Sequence, residues 1–192
     1  SSGGGIRDDG EDLIETLRSR MAVALTADEF RALPADGPAA ALLYRDHPPR
    51  SDAREVSLAE MTGKALDILS GDEDGFFLMV EGSQIDWAAH ENESDWLIEE
   101  TLDFDEAVGV VMDFAEREGE TLVVVTADHE CGGYLVMDAS LSSGKITWSD
   151  FGSDSHTGTM VPLLAYGPGS AEFGGLLDNT EIGRILIGHV RR

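Results

Sequence analysis

Two short apolar runs, each followed at once by metal-binding side chains, constrain this chain more than any other feature. Phe76-Phe77-Leu78-Met79-Val80 is continuous and of strand length. Such a run reads as a strand buried on both faces, as in a parallel sheet. Glu81 follows it, then the turn at Gly82, then Asp86 and His90. The i, i+4 spacing puts Asp86 and His90 on one face of a helical turn, where both can reach one cation. The second run, Thr121-Leu122-Val123-Val124-Val125, is β-branched and leads into Asp128-His129. A third segment carries His156, just before the apolar stretch Met160 to Tyr166. The functional sites of open α/β sheets lie beyond the carboxyl ends of strands. Glu81, Asp86, His90, Asp128, His129 and His156 are therefore candidate ligands. Carboxylate with imidazole suits zinc, and an additional carboxylate suits magnesium.

The pattern between the two runs supports a βαβ unit. Apolar residues at helical spacing from Ser94 to Glu118 predict a long helix, and Gly119 stops it. Further helices are expected over 9–20, from Thr26 to before Pro34, over 57–70 and over 178–190. Strands are expected over 21–25, 39–44, 133–137, 145–148 and 160–167, with loops at 45–55 and 151–158. The expected fold class is α/β, a largely parallel sheet sandwiched by helices, with residues 1–192 forming one part of a single domain.

Charge narrows the partners. The 192 residues carry a formal net charge of −25. Such a chain repels nucleic acid and anionic membranes, and it suits a saline or marine setting. An anionic substrate would also be repelled, so local cations are needed to hold it. Bound metals supply them, and two cations about 4 Å apart can clamp both oxygens of a phosphoryl transfer. There is one cysteine, Cys131, so no intrachain disulfide forms. Cys131 could be a soft ligand, although the Gly132-Gly133 that follows points to tight packing instead. His47, beside two prolines, reads as solvated or locally bonded, and His189 sits near a helix end, where the dipole favours positive charge and nothing marks it as catalytic. No stretch is apolar enough to span a membrane. The opening Ser-Ser-Gly-Gly-Gly lacks a methionine and a signal-peptide pattern, so the native start is expected upstream.

Three segments together resemble a known family. They are Val80-Glu81-Gly82-Ser83-Gln84-Ile85-Asp86-Trp87 with His90, Thr126-Ala127-Asp128-His129-Glu130 with Gly132-Gly133, and His156-Thr157-Gly158 with Ala165-Tyr166-Gly167-Pro168-Gly169. They resemble the C-terminal half of alkaline phosphatase, in its bacterial form. The resemblance implies hydrolysis of phosphomonoesters to inorganic phosphate, through a phosphoserine intermediate, on two Zn2+ and one Mg2+. It implies that Asp86, His90 and His156 hold the first zinc, that Asp128 and His129 hold the second, and that Glu81 holds magnesium. Trp87 falls near the phosphate, where it would tune affinity or turnover. A periplasmic or secreted location and a homodimer are implied in the same way.

Departures from the family pattern matter as much. No Asp-Ser-Ala segment carries a nucleophilic serine, and Asp154-Ser155-His156, the nearest wording, opens no helix. The aspartate shared by the second zinc and magnesium, the magnesium-binding threonine and the phosphate-clamping arginine are also missing. Arg45, Arg50 and Arg54 lie in a variable loop and take no role. Only the first zinc has a complete ligand set, so negligible turnover is expected of this chain alone. The alternatives are a phosphodiesterase or phosphomutase of the same superfamily, or a non-catalytic zinc-binding half that needs a partner chain.

Overall fold

The computed structural model describes residues 12–190, and the chain divides after Leu78 into two compact units. In the first, helix α1 (Leu13–Arg18) opens at Asp12, whose carboxylate accepts the amides of Ile14 at 2.9 Å and Glu15 at 3.2 Å. Strands β1 (Ala22–Ala24) and β2 (Ala39–Ala41) pair in parallel, Ala22 opposite Ala39. Parallel neighbours need a crossover, and it includes helix α2 (Ala27–Arg31). Thr26 caps α2 by accepting the Glu29 amide at 3.2 Å, while the Glu29 carboxylate reaches back to the Leu25 amide at 2.7 Å.

Helix α3 (Leu58–Leu69) starts at Ser57, which accepts the Glu60 amide at 3.1 Å. The Glu60 side chain does not close that capping box. Arg31 takes it instead, in a fork with Nε–Oε1 at 2.8 Å and Nη2–Oε2 at 3.1 Å. That hydrogen-bonded guanidinium holds the Glu60 carboxyl below its ordinary range. The buried core of this unit is small: Ala24, Ala27, Phe30 and Val56, with Leu33, Leu43 and Met61 packed around them.

The second unit begins with helices α4 (Gln84–His90) and α5 (Ser94–Glu118). Ala88 and Ala89 of α4 and Ala107 and Ala115 of α5 are buried. Gly119 ends α5 in the left-handed region, at φ 87°. Strand β3 (Val123–Thr126) pairs antiparallel with β8 (Leu163–Tyr166), and β4 (Glu130–Cys131) with β7 (His156–Thr157). Strands β5 (Tyr134–Ser140) and β6 (Lys145–Phe151) form a hairpin with an irregular register at Asp138. Ser94 Oγ lies 2.6 Å from the Tyr134 hydroxyl and 3.0 Å from Ser149 Oγ, tying the start of α5 to this hairpin. Helix α6 (Asn179–Val190) closes the unit. No described helix is long and apolar enough to cross a membrane.

The α/β class stands, but two expectations about the sheet are corrected. Residues 76–80 form no strand, and Phe77 and Met79 are 58% and 76% exposed. An apolar run signals a wish to be buried, whereas a strand exists only where a neighbour completes its hydrogen-bond ladder. No described strand pairs with this run, so the expected βαβ crossover lacks its first strand. The sheet is not largely parallel among the described residues: β1 with β2 is parallel and the other three pairs are antiparallel. Residue His156, expected in a loop, lies in β7.

Phe30 is 4% exposed and is the largest side chain of its buried cluster. Phe30→Ala is expected to destabilise the first unit by about 3–5 kcal/mol, read as a lowered urea midpoint by circular dichroism.

Candidate metal centre

Two elements far apart in sequence bring the candidate ligands together. Helix α4 presents Asp86 and His90 on one face, with His90 Nε2 3.5 Å from Asp86 Oδ2. The β4–β7 register sets Cys131 directly opposite His156, and directly opposed residues share a face. Glu130 and Thr157 form the other opposed pair, and the Thr157 hydroxyl donates to the Glu130 carboxylate. His156 Nε2 lies 3.4 Å from Asp86 Oδ1 and 3.1 Å from His90 Nε2. The Cys131 thiol donates to the Asp86 carbonyl at 3.7 Å. One potential ligand atom from each of Asp86, His90, Cys131 and His156 lies within 4.8 Å of the others.

Gly132 makes this approach possible. A Cβ there would lie 2.9 Å from the Ala89 carbonyl oxygen on α4 and 3.0 Å from the Phe151 ring, and the residue sits at φ 82°. Only hydrogen fits. The Gly132 amide donates to Ser155 O at 3.1 Å, and the Ser153 amide donates to Gly132 O at 3.0 Å. Those bonds fix the segment leading to His156 against β4.

The protonation pattern favours a cation. His90 Nδ1 sits 2.6 Å from the Asp154 carbonyl oxygen, which can only accept. Nδ1 therefore carries the proton, and Nε2 turns a lone pair toward His156 and Asp86. Asp86 Oδ1 is buried with no hydrogen-bond partner, although His156 Nε2 is nearby. A buried orphan acceptor costs free energy, and a cation on these groups would satisfy it. The donor set, one carboxylate and two imidazoles, fits zinc. Burial pushes the Cys131 thiol up to about 12, helped by its hydrogen bond to Asp86 and by the charges of Asp86 and Glu130.

The remaining candidate residues are placed less tightly. His129 stacks on His156 with ring centroids 3.5 Å apart and planes 24° apart, and its Nδ1 is another buried atom without a partner. Its Nε2 is 3.2 Å from Asp128 Oδ2, and the Asp128 side chain is 88% exposed. Glu81 is exposed. Among the described residues neither Glu81, Asp128 nor His129 belongs to a cluster of three or more potential ligands. Trp87 lines an open cleft of about 340 Å3 with Asp86, His90, Glu91 and Trp96. Ser155 Oγ donates to Asp154 Oδ1 at 3.1 Å. Cys131 was the residue whose place was hardest to read. Its signal was the glycine pair after it, which marks the close approach to α4 rather than packing alone.

The fold and this cluster define an α/β protein with a candidate cation centre between a short helix and a two-residue strand bridge. The chain belongs to the alkaline phosphatase family, whose model matches residues 3–149. Alkaline phosphatase 4 of Bacillus subtilis (strain 168) is 32% identical, over 80% of this chain and 46% of its own length. The structure of alkaline phosphatase from the Antarctic bacterium TAB5 superposes with a TM-score of 0.86 at 34% identity, covering 96% of this chain and 56% of that one. A mutant of the TAB5 enzyme has been solved with Mg bound. The chain thus spans about half the length of these relatives.

Gly132→Ala is expected to cost about 1–3 kcal/mol of stability and to weaken Zn2+ binding about tenfold or more, by calorimetric titration. Gly109→Ala, in α5 with open space around its Cβ, is expected to leave Zn2+ affinity unchanged.

Proposed function

We propose that this chain supplies the metal-binding portion of an alkaline phosphatase that hydrolyses phosphomonoesters. One observation carries the proposal: the ligand atoms of Asp86, His90 and His156 converge around a buried carboxylate oxygen that has no hydrogen-bond partner. Family membership supports it.

In this reading Asp86, His90 and His156 hold the first zinc. A cation held there supplies positive charge against the phosphate and the leaving oxygen. The Asp154 carbonyl orients His90 by fixing its tautomer. His129, stacked on His156, and Asp128 hold the second zinc, and Glu81 holds magnesium, both with ligands from outside this chain. Trp87 stands beside the phosphate. The nucleophilic serine, which forms and then releases a phosphoserine, and the phosphate-binding arginine also come from outside it. The chain is then the C-terminal portion of a single phosphatase domain, periplasmic or secreted and homodimeric. The net charge of −25 makes held cations a requirement for drawing in a phosphate.

Two measurements test this. His156→Ala is expected to abolish high-affinity Zn2+ binding by the chain. In the full-length enzyme it should lower kcat/KM by more than about 100-fold, since losing even an outer-shell partner costs 10–100-fold. Full turnover at normal zinc content would refute the assignment. The chain by itself is expected to show negligible hydrolysis of 4-nitrophenyl phosphate, and robust turnover would reveal a nucleophile within it.

A further inference from the structure

We propose that Trp96 is a specificity-determining residue that selects phosphomonoesters with an aromatic leaving group. The inference rests on the phosphatase reading and adds a substrate class to it.

The cleft of about 340 Å3 shares Asp86 and His90 with the candidate cation cluster, and Trp87 and Trp96 stand among its other walls. A volume of that size suits a small molecule. In the proposed function Asp86 and His90 hold positive charge against the leaving oxygen. The group carried by that oxygen therefore lies in or beside this cleft. Trp87, adjacent to Asp86 in α4, supplies the wall next to the cation ligands. Trp96, in the first turn of α5, supplies a second indole. Aromatic rings in offset-stacked or edge-to-face contact gain more than burial alone provides, so two indoles favour a ring over an alkyl chain.

The surroundings of Trp96 hold it ready. The amides of Asn92 and Glu93 donate to the carbonyls of Ala89 at 3.2 Å and Ala88 at 3.0 Å, which turns the chain back on α4. Ser94, two residues before Trp96, is tied to Tyr134 and Ser149. The indole Nε1 donates to Glu100 Oε1 at 3.1 Å, one turn further along α5. Glu100 is 3% exposed, and a buried acceptor is costly to leave unpaired. The bond therefore fixes the indole rotamer before a ligand arrives, which lowers the entropy lost on binding. With its N–H engaged, Trp96 offers the cleft its ring. Trp96 is the residue that meets the ligand, and Glu100 is a positioning residue behind it.

Phosphonates test this, because their phosphorus–carbon bond mimics the ester without being hydrolysed. Inorganic phosphate, methylphosphonate and benzylphosphonate are titrated into the full-length enzyme by calorimetry. Benzylphosphonate is expected to bind about 3–10-fold more tightly than methylphosphonate. Trp96→Ala should remove most of that advantage, and Trp96→Phe should retain part of it. Glu100→Ala should reduce it, whereas Glu100→Gln, whose amide oxygen still accepts from the indole, should keep it. The readout is a ratio of two affinities within one variant, so a general loss of folded protein does not move it. Equal affinities in the unmodified enzyme, or an advantage that survives Trp96→Ala, would overturn the inference and leave the phosphatase reading standing. Failure of inorganic phosphate to bind would overturn that reading and this inference together.

Discussion

The candidate centre depends on one close contact, the backbone at Gly132 lying against the Ala89 carbonyl of α4. Asp86 and His90 belong to a helix, and His156 belongs to a strand bridge. Nothing in the local geometry of either element brings them together. The contact does so, because it sets β4 against α4, and β4 in turn sets β7 through its register. A side chain at position 132 would push the bridge away from the helix. The two histidine nitrogens at 3.1 Å would then separate.

Polar groups on the bridge divide by face. Toward α4 lie Cys131 and His156, with the unpartnered Asp86 oxygen between helix and strand. On the other face Thr157 donates to Glu130, so that carboxylate is already engaged. The Glu130 carboxylate also accepts the Gly133 amide at 2.9 Å, which holds the glycine turn. One face is therefore satisfied by protein, and the other carries the candidate ligands with a buried oxygen that no protein group satisfies. In a chain of net charge −25, a cation held there would, under the proposed function, be the means by which an anion is approached.

Much of this was legible in the sequence, for physical reasons that differ from element to element. The i, i+4 pair Asp86 and His90 was readable because helical periodicity is local. Helix α5 was placed at its true ends, because its apolar stripe is long and Gly119 is a strong stop. The strand at 76–80 was not, because ladder formation depends on a neighbour that no local pattern encodes. Strands β4 and β7 have two residues each, too few for any period to show. The contact of Cys131 with Asp86 spans 45 positions, and only the fold reveals it. Ser57 and Glu60 have the spacing of a capping box. The serine caps α3, but Glu60 finds a stronger partner in Arg31, 29 residues earlier.

Helix α4 has seven residues, too few to persist alone in water. Its His90 meets a partner 66 positions further along the chain. Closing a loop of that size costs chain entropy before any contact repays it. The ligand set therefore exists only once β4 and β7 have docked on α4, and a disordered chain offers the metal scattered single donors. Under the proposed metal assignment, metal concentration would become a variable of folding, since a ligand that binds only the native state deepens the native well by RT ln(1 + [L]/Kd). Scarce metal would then leave the second unit short of the energy that holds α4 against the bridge, so metal supply would set the fraction of chains that is folded.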